Sequence, residues 1–131
     1  MERREIPESK ERIGSTLLIR LSSVMGLTGV VLGAFGAHAL KEVLAANGTS
    51  SLWDKAVFYH LVHAVVLFVL AARGGRVTAP WVCFALGILF FAGSLYGLAV
   101  TKWHWLGPLT PLGGLCLIAG WVWLIAKPGK A

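Results

Sequence analysis

Four histidines have the most versatile chemistry of any side chains in this sequence: His38, His60, His63 and His104. A neutral imidazole donates one hydrogen bond and accepts another, exchanges a proton near neutral pH, and ligates iron, copper or zinc. His60 and His63 are three residues apart, so on a helix they would point about 60° apart, on one face. What these rings can do depends on the elements that hold them.

The composition of the chain is that of a membrane protein. Its 131 residues suffice for one domain; 56% are hydrophobic and only 14% are charged, against about 25% charged in soluble domains. Four stretches contain no Asp, Glu, Lys or Arg: 21–40, 56–72, 77–101 and 103–126. A bilayer core about 30 Å thick needs roughly 20 helical residues, so each stretch predicts a transmembrane helix. This excludes a soluble enzyme, a disordered tail and a nucleic-acid reader.

These stretches predict an all-α membrane protein with four transmembrane helices in an antiparallel bundle, because short connections make successive helices antiparallel neighbours. The predicted spans are about 17–46, 52–72, 77–101 and 108–126, within a transmembrane domain of residues 15–127. A polar N-terminal tail, residues 1–14, precedes this domain, and a C-terminal tail, residues 128–131, follows it.

The basic residues predict the direction of the spans. They stand singly or in pairs between the apolar runs, so the net charge of +6 indicates topology rather than nucleic-acid binding. Nine lie on the side of both termini: Arg3, Arg4, Lys10, Arg12, Arg20, Arg73, Arg76, Lys127 and Lys130. The other side has Lys41, Lys55 and Lys102, so both termini are expected to be cytoplasmic.

The tryptophans agree with this topology, because they are expected to form belts at the two membrane boundaries. Trp53, Trp103 and Trp105 fall at the outer boundary, and Trp81, Trp121 and Trp123 fall at the inner one.

With this topology the four histidines lie in the outer third of the membrane, where ionisable side chains suggest function. The candidate polar cluster at this depth comprises His38, His60, His63, His104, Tyr59, Ser94 and Tyr96. Three interpretations stay open. Neutral His38 and His63 hydrogen-bond between spans 1 and 2, or to carbonyls freed near Pro108 and Pro111; His38, His60 and His63 bind haem or a metal ion; or the cluster forms a proton relay or a polar pocket for a lipid-like or small substrate.

Glycines predict where the helices approach one another, because small residues let helix backbones pack closely in lipid. They are Gly26, Gly29, Gly33 and Gly36 in span 1, Gly93 and Gly97 in span 3, and Gly113 and Gly114 in span 4. The spacing of three, four and three residues in span 1 puts its four glycines on one face. Packing within the bundle is the expected use, and homodimerisation is the alternative.

Reactive groups are few. The sequence has no nucleophile elbow, phosphate-binding loop or paired carboxylates, and Glu42 and Asp54 are the only acidic residues outside the N-terminal tail. Cys83 and Cys116 lie within the predicted spans and form no CxxC pair. We therefore expect a protein that is not an enzyme and has no cofactor, with His38 and His63 the residues left for any metal ion.

Several motifs carry a resemblance to a known family. They are 33–40 (GAFGAHAL), 56–64 (AVFYHLVHA), 93–96 (GSLY), 110–114 (TPLGG) and 119–121 (AGW). Over residues 17–126 the chain resembles the domain of unknown function 423 family, the transmembrane protein 256-like small membrane proteins. The resemblance implies four membrane helices in a bacterial inner membrane, and it supplies no catalytic residues that could be carried over to this chain. His38 and His63 match the family pattern, whereas His60 departs from it.

The expected function is that of a non-enzymatic inner-membrane protein, an accessory or scaffold subunit of a larger membrane assembly. Its partners would be the lipid bilayer and other membrane proteins or a second copy of itself, and not nucleic acid. A small oligomeric transporter or lipid-binding bundle is one alternative. A haem or metal carrier that uses outer-leaflet histidines is the other.

Overall fold

The computed structural model describes the backbone of residues 8–129 and the side chains of residues 10, 12 and 14–129. Its elements are α1 (Glu8–Ala37), α2 (Lys41–Asn47), α3 (Ser50–Arg73), α4 (Thr78–Gly87), a π-helical segment (Ile88–Ala92), α5 (Gly93–Thr101), a 3-10 turn (His104–Leu106) and α6 (Leu109–Ala126). Within the described residues, four helical stretches are long and apolar enough to cross a membrane: Gly14–Ala37, Ser50–Arg73, Thr78–Thr101 and His104–Ala126, called spans 1 to 4 below. The predicted all-helical fold with four apolar spans is confirmed.

The first helix differs from its prediction at both ends. It begins at Glu8, within the predicted tail, and the rest of that tail, residues 1–7, lies outside the described residues. It ends at Ala37 instead of continuing to residue 46, and the amide of Leu40 donates to the carbonyl of Phe35, a bond typical of helix ends. The break lets α2 turn so that Leu44, 2% exposed, packs with Trp53.

Three glycines of span 1 lie against side chains of span 2. A Cβ at Gly29 would come within 2.7 Å of Leu61, one at Gly33 within 3.3 Å of Val57, and one at Gly36 would overlap the indole of Trp53. Gly26 has nothing within 4 Å of its Cβ position. Three of the four glycines on the predicted face therefore allow the two backbones to approach each other.

Spans 3 and 4 are also joined through glycines, and here one backbone touches another. A Cβ at Gly113 would overlap the backbone of Phe91, in the π-helical segment, and one at Gly120 would lie 2.8 Å from the ring of Phe84. Gly87 of span 3 receives the side chain of Leu117 from span 4. Span 4 is thus packed against span 3 from Gly113 to Gly120.

The other predicted packing glycines make looser contacts. Gly93 has nothing within 4 Å of its Cβ position, Gly114 would place a Cβ 3.8 Å from Phe91, and Gly97 faces the tip of Leu106 at 2.9 Å.

Spans 2 and 3 hold the centre of the molecule. In their most apolar windows 39% and 44% of residues are buried, against 11% in span 1 and 17% in span 4. Leu67 of span 2 and Phe84 of span 3 are fully buried in the main core. Spans 1 and 4 therefore flank a central pair, and each packs chiefly against its neighbour in the sequence.

The two ends of the molecule are fastened by different polar contacts. At the end called basic here, defined by Arg12, Arg73 and Arg76, the guanidinium of Arg73 donates to the carbonyl of Pro128 at 3.2 Å. At the opposite end, the side chains of Asn47 and Thr49 donate to the carbonyl of Ala99, at 3.1 and 2.7 Å. These bonds satisfy a carbonyl left open at the C-terminus of α5.

Candidate functional site

His63 is buried, 6% exposed, and both of its ring nitrogens are in use. Nδ1 lies 2.8 Å from the carbonyl of Tyr59, one turn earlier in the same helix, and Nε2 lies 3.2 Å from the indole nitrogen of Trp121 in span 4. A carbonyl only accepts and an indole N–H only donates, so Nδ1 carries the proton and Nε2 offers its lone pair. His63 is a neutral ring that joins span 2 to span 4.

His60 is buried to a similar degree, 4% exposed, and joins three spans. Its Nδ1 lies 3.1 Å from the hydroxyl of Tyr96 in span 3, and its Nε2 lies 3.5 Å from the hydroxyl of Thr28 in span 1. The Thr28 hydroxyl gives its only proton to the carbonyl of Met25 at 3.0 Å, so it accepts from Nε2 of His60. Nδ1 then accepts from Tyr96, and the ring has the opposite tautomer to His63.

The pair lies near the middle of its helix, deeper than expected from the sequence. Span 2 begins at Ser50, so His60 is about 15 Å from one end and His63 about 15 Å from the other. The pair lies deeper because Ser50–Arg73 is one continuous helix that starts before the charge-free stretch.

His38 and His104 are not part of this arrangement. Both are exposed, His38 in the turn after α1 and His104 in the 3-10 turn at the start of span 4. Gly36, two residues before His38, lies against Trp53, which is about 15 Å along the helix from His63. His38 and His63 therefore do not share a binding site for one ion.

The remaining residues of the predicted cluster have separate contacts. The hydroxyl of Ser94 lies 2.7 Å from that of Thr110 and joins span 3 to span 4. Tyr59 stacks on His63, with ring centres 5.9 Å apart, and also contacts Phe91. Seven predicted residues are thus divided among several contacts rather than gathered around one cavity.

Sequence reasoning missed the partners that complete these contacts. Trp81 and Trp121 were expected at the membrane boundary, yet Trp81 is 8% exposed and donates to the hydroxyl of Ser22 at 3.0 Å. Trp121 donates to His63. Their positions in the sequence fit an aromatic belt at the membrane boundary equally well. Only the rotation of each helix decides whether the indole faces the boundary or bonds to another span.

Chemically, the interior is a set of completed hydrogen bonds. In the part of the chain that the structure describes, every buried side-chain nitrogen and oxygen has a partner, and no three His, Cys, Asp or Glu side chains come together as a metal site. A metal ion on Nε2 of His63 would have to displace the Trp121 indole. The buried imidazoles act as links between spans.

The comparisons with known proteins agree with the motifs described above. A family model described as a protein of unknown function, DUF423, matches residues 32–114. The chain belongs to the DUF423 family. The matched range includes His60, His63 and the close approach at Gly113, and it stops before Trp121.

Relatives of this DUF423 protein are bacterial and are named as membrane proteins. A UPF0382 membrane protein of Staphylococcus haemolyticus is 42% identical over 87% of this chain and 96% of its own length. The UPF0382 membrane protein YwdK of Bacillus subtilis is 40% identical over 87% of this chain and 97% of its own. No solved structure matches this chain with statistical significance. The resemblance seen in the sequence is confirmed, and the DUF423 protein is a helical membrane protein.

The opposite tautomers of the two buried histidines give a testable prediction. With histidine labelled by ¹⁵N in detergent micelles, NMR should show one neutral ring protonated on Nδ1, His63, and one on Nε2, His60. Replacing Trp121 with Phe should shift the Nε2 resonance of His63 and leave His60 unchanged, because only His63 contacts that indole.

Stability measurements supply the second arm of this test. In a double-mutant cycle, His63→Ala and Trp121→Phe should couple by about 0.6–1.7 kcal/mol, the range of hydrogen bonds between membrane helices. Trp123→Phe, on the same helix, is the matched control. Equal tautomers for both rings, or strictly additive effects of the two substitutions, would contradict the assignment.

Proposed function

We propose that this DUF423 protein is a non-enzymatic protein of the bacterial inner membrane that acts as an accessory or scaffold subunit of a larger membrane assembly. The observation that carries the proposal is the packing of span 1, which lies chiefly against span 2 and has 11% of its apolar window buried. Its exposed face, Leu27, Val31 and Phe35, points away from the glycine contact with span 2. A helix of a partner protein has room to pack there.

The use of the interior polar groups supports a non-catalytic role. The imidazoles of His60 and His63 are engaged in hydrogen bonds between spans, so neither ring has an unshared lone pair for substrate or metal. Catalytic and transport groups need such an opening. A scaffold role in a membrane assembly requires only an exposed contact surface and a stable fold.

The orientation proposed for the bundle is antiparallel with both termini in the cytoplasm. Gly36, Gly33 and Gly29 meet Trp53, Val57 and Leu61 in turn, an order that suits antiparallel spans 1 and 2. Nine basic residues at the terminal side against three at the other favour the cytoplasm for that side. A reporter that is active only in the cytoplasm, fused after residue 131 or inserted in the loop at residues 47–49, tests this orientation. The fusion after residue 131 should be active; activity of the loop fusion alone would mean that the orientation is the reverse.

Photo-crosslinking in native membranes tests the assembly role. A photoreactive amino acid is placed singly at Leu27, Val31 or Phe35, and the control position is Val65, which is exposed on span 2. We expect span 1 probes to give adducts with one defined membrane protein, which should also co-purify in mild detergent. Adducts only with lipid, or a free monomer without a co-purifying protein, would refute the proposal. Adducts only with a second copy would replace it by a homo-oligomer.

A further inference from the structure

A cleft of about 760 Å³ opens at the basic end, between the first turns of span 1 and the loop that joins spans 2 and 3. Its walls come from two parts of the chain: Arg12, Gly14, Ser15, Leu17 and Leu18 on one side, and Ala71, Gly74, Gly75, Arg76, Val77 and Thr78 on the other. None of the hydrogen bonds that link the spans uses this cleft. The proposed assembly surface on span 1 lies further along the helix.

The cleft is cationic at its mouth. Arg12 and Arg76 are exposed there on opposite walls, and Arg20 lines an adjoining hollow together with Arg12. Among the side chains that the structure describes, the acidic ones are Glu42 and Asp54, and both lie toward the opposite end of the molecule. Two guanidinium groups facing one space suit a phosphate, which each can bind with paired N–H donors.

The floor of the cleft is apolar. Leu17 and Leu18 on one wall and Ala71 and Val77 on the other present hydrocarbon below the arginines. The apolar stretch of span 1 begins at Gly14, so Arg12 stands just outside it and Leu17 just inside. Charge above hydrocarbon, at the end of a membrane span, has the polarity of a lipid: headgroup in water and acyl chain in the bilayer.

The loop between spans 2 and 3 leaves the mouth of the cleft open. Gly74 and Gly75 both have positive φ, 67° and 78°, a backbone conformation that residues other than glycine rarely adopt. Nothing lies within 4 Å of a Cβ at either position, so the space beside the arginines is unfilled.

We propose that this cleft binds an anionic phospholipid, with Arg12 and Arg76 on the headgroup phosphate and the start of an acyl chain against Leu17 and Val77. Free phosphate would use the charges but not the hydrocarbon floor. A zwitterionic lipid brings an ammonium group, for which the described walls of the cleft hold no carboxylate. Basic sites between membrane helices on the cytoplasmic side commonly bind anionic lipids.

Native mass spectrometry of the full-length protein in detergent tests the proposal. Phosphatidylglycerol and phosphatidylcholine with identical acyl chains are added at equal concentration, and retained lipid is counted for each variant. Wild type should retain phosphatidylglycerol about thirtyfold more than phosphatidylcholine, because each of the two arginines contributes roughly 1 kcal/mol toward an anionic lipid. Arg12→Gln with Arg76→Gln should abolish this preference. Arg73→Gln is the matched control, because its guanidinium binds Pro128 and does not line the cleft.

Further arms separate lipid from free anion and keep the test decisive. Inorganic phosphate and soluble glycerophosphoglycerol should not displace the bound lipid at equal concentration. If either does, the cleft is an anion site and the lipid proposal fails. Equal retention of both lipids by wild type, or a preference that survives the double substitution, also overturns it. If the double variant does not fold, Arg76→Gln alone, in the exposed loop, should still reduce the preference about fivefold.

Discussion

Replacing Gly113 with alanine should separate span 4 from span 3 and lower the stability of the protein by about 2–3 kcal/mol, near the upper end of the cost of overpacking. The added Cβ would overlap the backbone of Phe91 and come within 2.6 Å of the carbonyl carbon of Phe90. A side chain can rotate away from such an overlap, but a helix backbone cannot. The helices must therefore move apart, which weakens the other contacts between these two spans.

Gly114→Ala is the matched control, because it adds the same methyl group one residue further on. At Gly114 a Cβ would meet Phe91 at 3.8 Å, an ordinary van der Waals contact, so stability should hardly change. Thermal unfolding of both variants in one detergent, followed by tryptophan fluorescence, measures the difference. The close approach of the two backbones would be disproved by equal melting temperatures for Gly113→Ala and wild type.

Replacing Trp53 with alanine should have the other large effect and lower the free energy of unfolding by about 2 kcal/mol. The side chain is 4% exposed, its N–H donates to the carbonyl of Leu32 at 3.0 Å, and its ring meets that of Tyr96 edge to face at 4.7 Å. Removing a buried Trp costs about 3–5 kcal/mol in soluble proteins; in lipid the transfer to water is absent, and only packing and the hydrogen bond are lost. The gap would also leave the surface of Gly36 without its partner.

Two further variants separate the contribution of the hydrogen bond from that of ring packing and test the role of burial. Trp53→Phe keeps most of the ring and removes the N–H, so it should cost about 0.6 kcal/mol, the mean for a hydrogen bond between membrane helices. Trp105→Ala is the control for an aromatic side chain at the same end, since Trp105 is 65% exposed. Equal destabilisation by Trp53→Ala and Trp105→Ala would mean that Trp53 is a boundary residue, as the sequence alone suggested.

The spans were predictable because the bilayer imposes their length and their lack of charge. Both requirements are local, and they can be read from stretches such as 77–101 without knowing what lies beside them. The small-residue face of span 1 was predictable for a similar reason, since helical spacing alone places Gly29, Gly33 and Gly36 together.

The pairing of side chains between spans was not predictable in the same way. It depends on how far each helix is rotated about its axis. A different rotation requires almost no change in the composition of the helix or in the spacing of its residues. The sequence resemblance pointed to His38 and His63 rather than to His60, and yet His60 is buried and bridges Thr28 and Tyr96. His38, in contrast, is exposed. The hydroxyl of Thr110, in the first turn of α6, contacts that of Ser94 in span 3, and no local pattern indicates this pairing.

The π-helical segment Ile88–Ala92 holds one residue more than the same length of regular helix and so changes the phase of span 3. Every residue from Gly93 onward is turned by about 100° from where an uninterrupted helix would put it. That offset aims Ser94 at span 4 and Tyr96 at span 2. Deleting one residue from the segment would leave hydropathy and length almost unchanged, yet it would redirect both hydroxyls at once.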